Sequence, residues 1–393
     1  MKYSIFFDRE NTMSNTNQNT ERIVWLDLLR LVAILMVIAC HSVDIYNATP
    51  QEDPSAGFWG GFIGSMMRPC VPLFAMMTGM LLLPVREPAK DFYRKRIPRI
   101  LFPMLLWSII YNLVPWITGV VGADKSVVSI FFPFEYSPSQ ELGDALDNIA
   151  MIPFAFNGYT THMWYIYMLI GLYFFMPYLS GWVEKNDKTL TRGFVALWGC
   201  SLMLPYLEQL FSKDILGVCA WNGFGLFHYF AGFVGYLLLG HLMGGGNRLR
   251  SAKAIAVGTM LYVSGFIITY SGYSTMAEQY TYEQAPQLLE MFWQYCSPNV
   301  VLMTIGIFLI VQRANVKSEQ AQSLLANVTK CGFGIYMIHY IFIGPAVMLL
   351  SPLGLPTPLC VIFTVAIVFA TSWGVTNLII YKLLPKAARY IVG

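Results

Sequence analysis

The chain has 393 residues, 56% of them hydrophobic and 12% charged, with a formal net charge of +3. Soluble domains carry about 25% charged residues, so the composition excludes a water-soluble globule and a globule with one anchor. The small basic excess reflects membrane topology, as shown below, and points to no nucleic-acid partner.

Residues 1–21 are polar and rich in Asn and Thr. They read as a disordered cytoplasmic tail, not as a cleaved signal peptide, and Met13 is an alternative start. From residue 22 to 393 the sequence reads as one domain without a clear internal repeat. Hydropathy predicts ten membrane spans, at 23–45, 58–83, 99–118, 163–182, 193–212, 224–244, 252–270, 296–312, 331–350 and 358–381. The fold class expected is all-α, a polytopic membrane protein of about ten transmembrane helices.

The first span carries the most informative residues. Arg30 and His41 are eleven positions apart, about 20° past three full helical turns, so they project from one face. Asp27 and Asp44 stand three residues outside them, close to the same stripe. Charged groups within a span are costly and usually face a bundle interior or a wet cavity. At 1.5 Å per residue, Arg30 lies roughly 10–12 Å from the Arg22 end of the span and His41 roughly 27–29 Å. Arg30 fits either a functional cation or one that snorkels beside Asp27. His41 fits either chemistry or a polar helix contact. Asp44 fits either a carboxylate that orients the imidazole or a solvated loop acid.

Arg68, in the second span, needs an internal partner. Residues 84–99 form a predicted loop that ends in Phe92-Tyr-Arg-Lys-Arg-Ile-Pro-Arg99, with Arg94, Arg96 and Arg99 close to the third span. An Arg-x-x-Arg pair suits bidentate phosphate contacts, although the same charges serve orientation and attraction to anionic lipid. Two long segments, 119–162 and 271–295, connect later spans. The first contains apolar stretches at 129–134 and 149–154 and is expected to pack over the outer mouth. The second holds Tyr270, Tyr273, Tyr280, Tyr282, Trp293 and Tyr295, either an interfacial belt or a platform for sugar rings. His162 and Trp164 open the fourth span, and His339 sits inside the ninth. His228 and His241 flank the sixth span and read as structural. The seven cysteines include no CxxC pair and predict neither a metal site nor a disulfide framework.

With the N-terminus on the cytoplasmic side, cytoplasmic segments hold 21 of the 25 Lys and Arg residues, against Lys125 and Lys213 outside. That asymmetry predicts cytoplasmic N- and C-termini by the positive-inside rule.

Taken in order, these segments resemble the acyltransferase-3 family of integral membrane acyltransferases. Asp27-Leu-Leu-Arg30 followed by His41 is similar to its Asp-x-x-Arg opening and Arg-x10-His motif. Val71-Pro-Leu-Phe-Ala-Met-Met-Thr-Gly79 resembles its "VPLFFMISG" stretch, with Thr78 where Ser is more usual. Arg96-Ile-Pro-Arg99 falls where its Arg-x-x-Arg pair precedes the third span. His162-Met-Trp-Tyr165, Leu169-Ile-Gly-Leu-Tyr173 with Pro177, Ser297-Pro-Asn-Val-Val301 and Gly334-Ile-Tyr-Met-Ile-His339 resemble later signatures.

The resemblance implies acyl transfer from an acyl-CoA, most often acetyl-CoA, to a hydroxyl of a cell-surface or lipid-linked saccharide at the outer face. It implies a multi-pass protein of the cell membrane whose partners are acyl-CoA, a saccharide acceptor and membrane lipids. Arg30, Arg94, Arg96 and Arg99 would hold the donor. His41, Arg30, Asp27 and Asp44 would form the catalytic group, with Arg68, His162, Trp164 and His339 supporting substrate. His41 fits a general base or a carrier of the acyl group, and the base needs fewer steps. A transporter or exporter is the competing reading, because carriers also combine many spans with intramembrane charge.

Overall fold

Within the bilayer no water satisfies a free amide or carbonyl, so an apolar chain must close its hydrogen bonds inside each segment. The computed structural model shows that outcome throughout. It describes residues 22–47, 53–132, 138–185, 188–211, 214–244, 251–282 and 284–393, in which helices predominate and no strand occurs. The expected tail, residues 1–21, lies outside the described residues, as do the last two residues of the 129–134 stretch.

In chain order the helices are α1 (Val24–Asn47), α2 (Pro54–Met67), α3 (Cys70–Leu82), α4 (Ala89–Val120), α5 (Lys125–Phe131), α6 (Leu142–Met151), α7 (Trp164–Lys185) and α8 (Lys188–Ser201). Then come α9 (Leu204–Leu210), α10 (Val234–Gly244), α11 (Ser251–Gln279), α12 (Pro286–Leu289), α13 (Pro298–Val311), α14 (Glu319–Leu350), α15 (Thr357–Leu378) and α16 (Ala388–Ile391). Among the described residues, eight segments are long and apolar enough to cross a membrane: α1, α2 with α3, α4, α7 with its preceding turn, α8 with α9, α11, α14 with its following turn, and α15. The protein is an all-α polytopic membrane protein.

Two expected spans are shorter than the sequence suggested. Residues 224–244 do not form one helix: a 3-10 turn at Gly225–Phe230 ends at Ala231, and α10 begins only at Val234. Gly232 between them has φ +86°, a backbone that glycine adopts without strain and that breaks the helix. The 296–312 span is α13, with Pro298 in its first turn. Other helices outrun their apolar cores. α4 starts at Ala89, so the basic segment read as a loop is the opening of a helix, and α14 starts at Glu319.

The second span is broken at Arg68–Pro69 into α2 and α3. Proline has no amide hydrogen and its ring crowds the carbonyl four residues back, which interrupts the helix there. α1 lies at the centre, packed against α2, α3, α13, α14 and α15. Its Leu29, Ala33 and Ile38 are buried with Met76 of α3 and Ile335 and Ile338 of α14.

α3 and α10 cross with their backbones in contact. A Cβ on Gly79 would stand 2.0 Å from the Leu237 carbonyl oxygen, and one on Gly240 would stand 2.0 Å from that of Met76. Gly79→Val is therefore expected to force these helices apart and to lower the unfolding temperature in detergent markedly, since overpacking typically costs about 1–3 kcal/mol. Gly171→Ala, with open space around that glycine, is the control and should unfold like wild type.

The 119–162 segment packs onto the bundle. Asp124 caps α5 by accepting the Ser126 N–H at 2.8 Å, which holds its carboxyl below the ordinary carboxylate value. Val128, Phe132 and Ile152 are buried, and the Phe132 ring lies against Tyr111 and Tyr159.

Candidate active site

The α1 face forms two separate groups. At its Arg22 end, the buried Asp27 carboxylate accepts from Arg22 Nε at 2.6 Å, Arg30 Nη1 at 3.2 Å and Thr329 Oγ1 of α14 at 2.8 Å. Such a carboxylate fixes the geometry of both cations and balances one of their two charges, which leaves the group cationic. Arg30, with Arg96 and Arg99, is within electrostatic reach of Tyr173 on α7. The helical start of α4 explains this convergence. Phe92, Arg96 and Arg99 fall on one face, with Phe92 buried and its ring 5.8 Å from Tyr173. Arg94 is exposed, and Lys95 turns to Glu87 at 2.5 Å. Arg30, Arg96 and Arg99 are thus brought together, and Arg94 stands outside the group.

Eleven residues further along α1, roughly 16 Å at 1.5 Å per residue, His41 Nδ1 lies 3.1 Å from Asp44 Oδ2. The carboxylate accepts, so Nδ1 carries the hydrogen, and in the neutral ring Nε2 keeps its lone pair. Asp27 and Arg30 are consequently far from His41. They share its helix face but not its surroundings.

Three of the chain's five histidines converge. The His41 and His162 rings each lie 5.5 Å from His339. Tyr340 lies 5.4 Å from His41 and stacks on His162 at 4.8 Å. His162 is presented by a 3-10 turn, Gly158–Met163, that the Asn157 and Thr160 side chains cap. Asn157 in turn donates to Asn112 Oδ1 of α4 at 2.6 Å, and Tyr336 donates its hydroxyl hydrogen to the His162 carbonyl. His339 donates from Nδ1 to the Tyr336 carbonyl at 2.7 Å, and its buried Nε2 has no hydrogen-bond partner. Among the described residues no three His, Cys, Asp or Glu side chains are arranged to hold a metal ion.

Two cavities follow α1. One, of about 10 Å³, is walled by Ile34, Val37, Ile38 and Phe74, with Tyr336 and His339 opposite. The other, also about 10 Å³, is bounded by His41, Cys40, Cys70, His162, Trp164 and Tyr295, again with Val37 and Tyr336. They lead in sequence along the helix from the Arg30 side to His41.

A family model described as an acyltransferase domain, Acyl_transf_3, matches residues 23–377. The chain belongs to this acyltransferase family. No curated protein and no solved structure matches it. It is a membrane acyltransferase, and the matched stretch contains every candidate residue above.

In the acyltransferase, Arg68 occupies the break between α2 and α3, buried over the Trp293 ring at 3.9 Å. Trp293 donates to Ser65 Oγ at 2.8 Å and stacks on Tyr273, with ring centres 3.8 Å apart. Both rings are buried, so neither belongs to an interfacial belt nor offers a face to a sugar. The sequence placed them in a loop, yet α11 carries Tyr273 inward because it runs on to Gln279. Tyr295 from the same segment instead lines the His41 cavity and stacks on Trp164. Tyr282 of the same segment meets an acid, donating to Glu290 at 2.9 Å.

Three residues near the site, Tyr340, Thr329 and Cys70, carried no signal of their own in the sequence, and Tyr336 stood there only within the Gly334–His339 signature. Tyr336 and Tyr340 lie within a helical turn of His339, and that spacing was the available clue.

Proposed function

We propose that this acyltransferase moves an acetyl group from cytoplasmic acetyl-CoA to a hydroxyl of a cell-surface or lipid-linked saccharide at the outer face of the cell membrane. Both termini are then cytoplasmic, and residues 22–393 act as one domain. The observation that carries the reading is the linked order on one helix. Arg30, Arg96 and Arg99 gather at one end, two cavities follow, and a carboxylate-held imidazole stands at the far end.

The basic group suits the phosphates of CoA, since guanidinium groups pair with phosphate oxygens through two hydrogen bonds. Asp27 and Thr329 hold Arg30 for that contact and are positioning residues. The acyl arm then lies along α1. At its end His41 Nε2 takes the proton of the acceptor hydroxyl as that oxygen attacks the thioester carbonyl carbon. The C–S bond breaks, and the CoA sulfur leaves with the proton returned by His41. Asp44 steadies the imidazolium formed in between. Only the acyl end crosses the protein, so the charged donor stays on its own side.

The test supplies radiolabelled acetyl-CoA to inverted membrane vesicles containing the protein. Label is expected in a saccharide or lipid-linked saccharide fraction, with free CoA released in equal amount. A wild-type protein that releases no CoA above control vesicles sinks the proposal and favours a transporter. Asp44→Asn is expected to lower kcat about 10²-fold or more, because Asn can offer an N–H to Nδ1 and favour the wrong tautomer. The same vesicle assay measures that loss.

A further inference from the structure

Acyl transfer builds negative charge on the thioester oxygen, and a site that performs it places hydrogen-bond donors where that charge appears. Resting on the acyl-transfer reading above, we propose that the guanidinium of Arg68 is this donor and contacts the reacting carbonyl oxygen. Three observations carry the assignment. Arg68 is 8% exposed and its Nε–H has no hydrogen-bond partner. A buried cation with unspent donors is costly unless an anion completes it. Among the described residues no carboxylate stands at ion-pair distance; Asp44, which acts on Arg68 electrostatically, is engaged by His41.

Second, the groups that Arg68 acts on are the walls of the His41 cavity. Cys40, Cys70 and Tyr295 all bound that cavity, and all three lie within electrostatic reach of Arg68. Third, the guanidinium is fixed before any substrate arrives. Trp293 lies under it at 3.9 Å, Ser65 holds the indole N–H, and Tyr273 backs the indole. A donor held this way needs no reorganisation when charge develops, which is the condition for electrostatic catalysis. The break at Pro69 contributes as well, because it places Arg68 at a helix interruption beside the reacting region.

The test compares wild type with Arg68→Met on three readouts: kcat, acetyl-CoA affinity by calorimetry, and the pH profile of kcat. The expected result is a kcat lowered about 10²–10³-fold, affinity within about twofold of wild type, and an unmoved pH profile. A kcat within about threefold of wild type overturns the assignment. So does a displaced pH profile, because that marks a cation acting through Asp44 and His41 and not on the substrate oxygen. If Arg68→Met loses acetyl-CoA binding through misfolding, Arg68→Leu replaces it under the same readouts and the same criteria, and Arg68→Lys, which keeps a cationic donor, is expected to recover part of the lost kcat. Wild type without acetyl-CoA turnover overturns the acyl-transfer reading and this one together. Active wild type, inactive His41→Ala and fully active Arg68→Met overturn this one alone.

Discussion

His41→Ala is expected to lower acetyl transfer about 10²–10⁴-fold, the range for removing one well-placed acid–base group, while acetyl-CoA still binds. The separation of the two ends of α1 is what makes the outcome specific. His41 lies roughly 16 Å along the helix from Arg30, and none of the groups around Arg30 touches it. A side chain that served only as packing between α1 and α14 would lower stability and donor binding together. The decisive comparison is kcat against the calorimetric Kd for acetyl-CoA. Loss of kcat with an unchanged Kd assigns the imidazole to chemistry. Substantial activity in the alanine variant would remove it from the mechanism.

The second large effect belongs at the other end. Arg96→Ala/Arg99→Ala is expected to weaken acetyl-CoA binding by about 10²–10⁴-fold, taking about 1.5–3 kcal/mol for each lost charged hydrogen bond. The rate at saturating donor should fall far less, because neither arginine reaches the His41 cavity. Arg94→Ala is the control. Its side chain is exposed, on another side of α4 from Tyr173, and its loss should change affinity by less than the uncertainty expected of surface charges, about 0–1 kcal/mol. Calorimetry on the three proteins separates specific phosphate contacts from general attraction. A double variant that binds like wild type would place the CoA phosphates elsewhere.

The sequence revealed the α1 face because helical periodicity is a local property. Asp27, Arg30, His41 and Asp44 needed only their spacing to be read together, and the His41–Asp44 contact follows from an i, i+3 step. The His41–His162–His339 convergence had no such signature, since it depends on how α1, the turn before α7 and α14 pack. The start of α4 was misplaced for a related reason. Hydropathy registers the charges of Arg94, Lys95, Arg96 and Arg99 and ends the span at them, whereas the buried Phe92 on the same face continues the helix outward. The reverse error affected 224–244, where apolar composition was continuous but Gly232 was not helical. Tyr273 and Trp293 read as surface aromatics for want of any sign that Arg68 packs on Trp293 and Tyr273 backs it.

The two small cavities beside α1 share Val37 and Tyr336, so those two side chains line both. In the proposed reaction an acyl arm displaces their contacts and replaces them, but at rest an aliphatic group and an aromatic ring hold that place. Membranes store energy as ion gradients, and a water-filled bore across one would dissipate that store. With the acyl-CoA donor proposed above, this packing lets a thioester be reached from both sides while the bilayer stays electrically insulating, so turnover need not short-circuit the membrane in which it occurs.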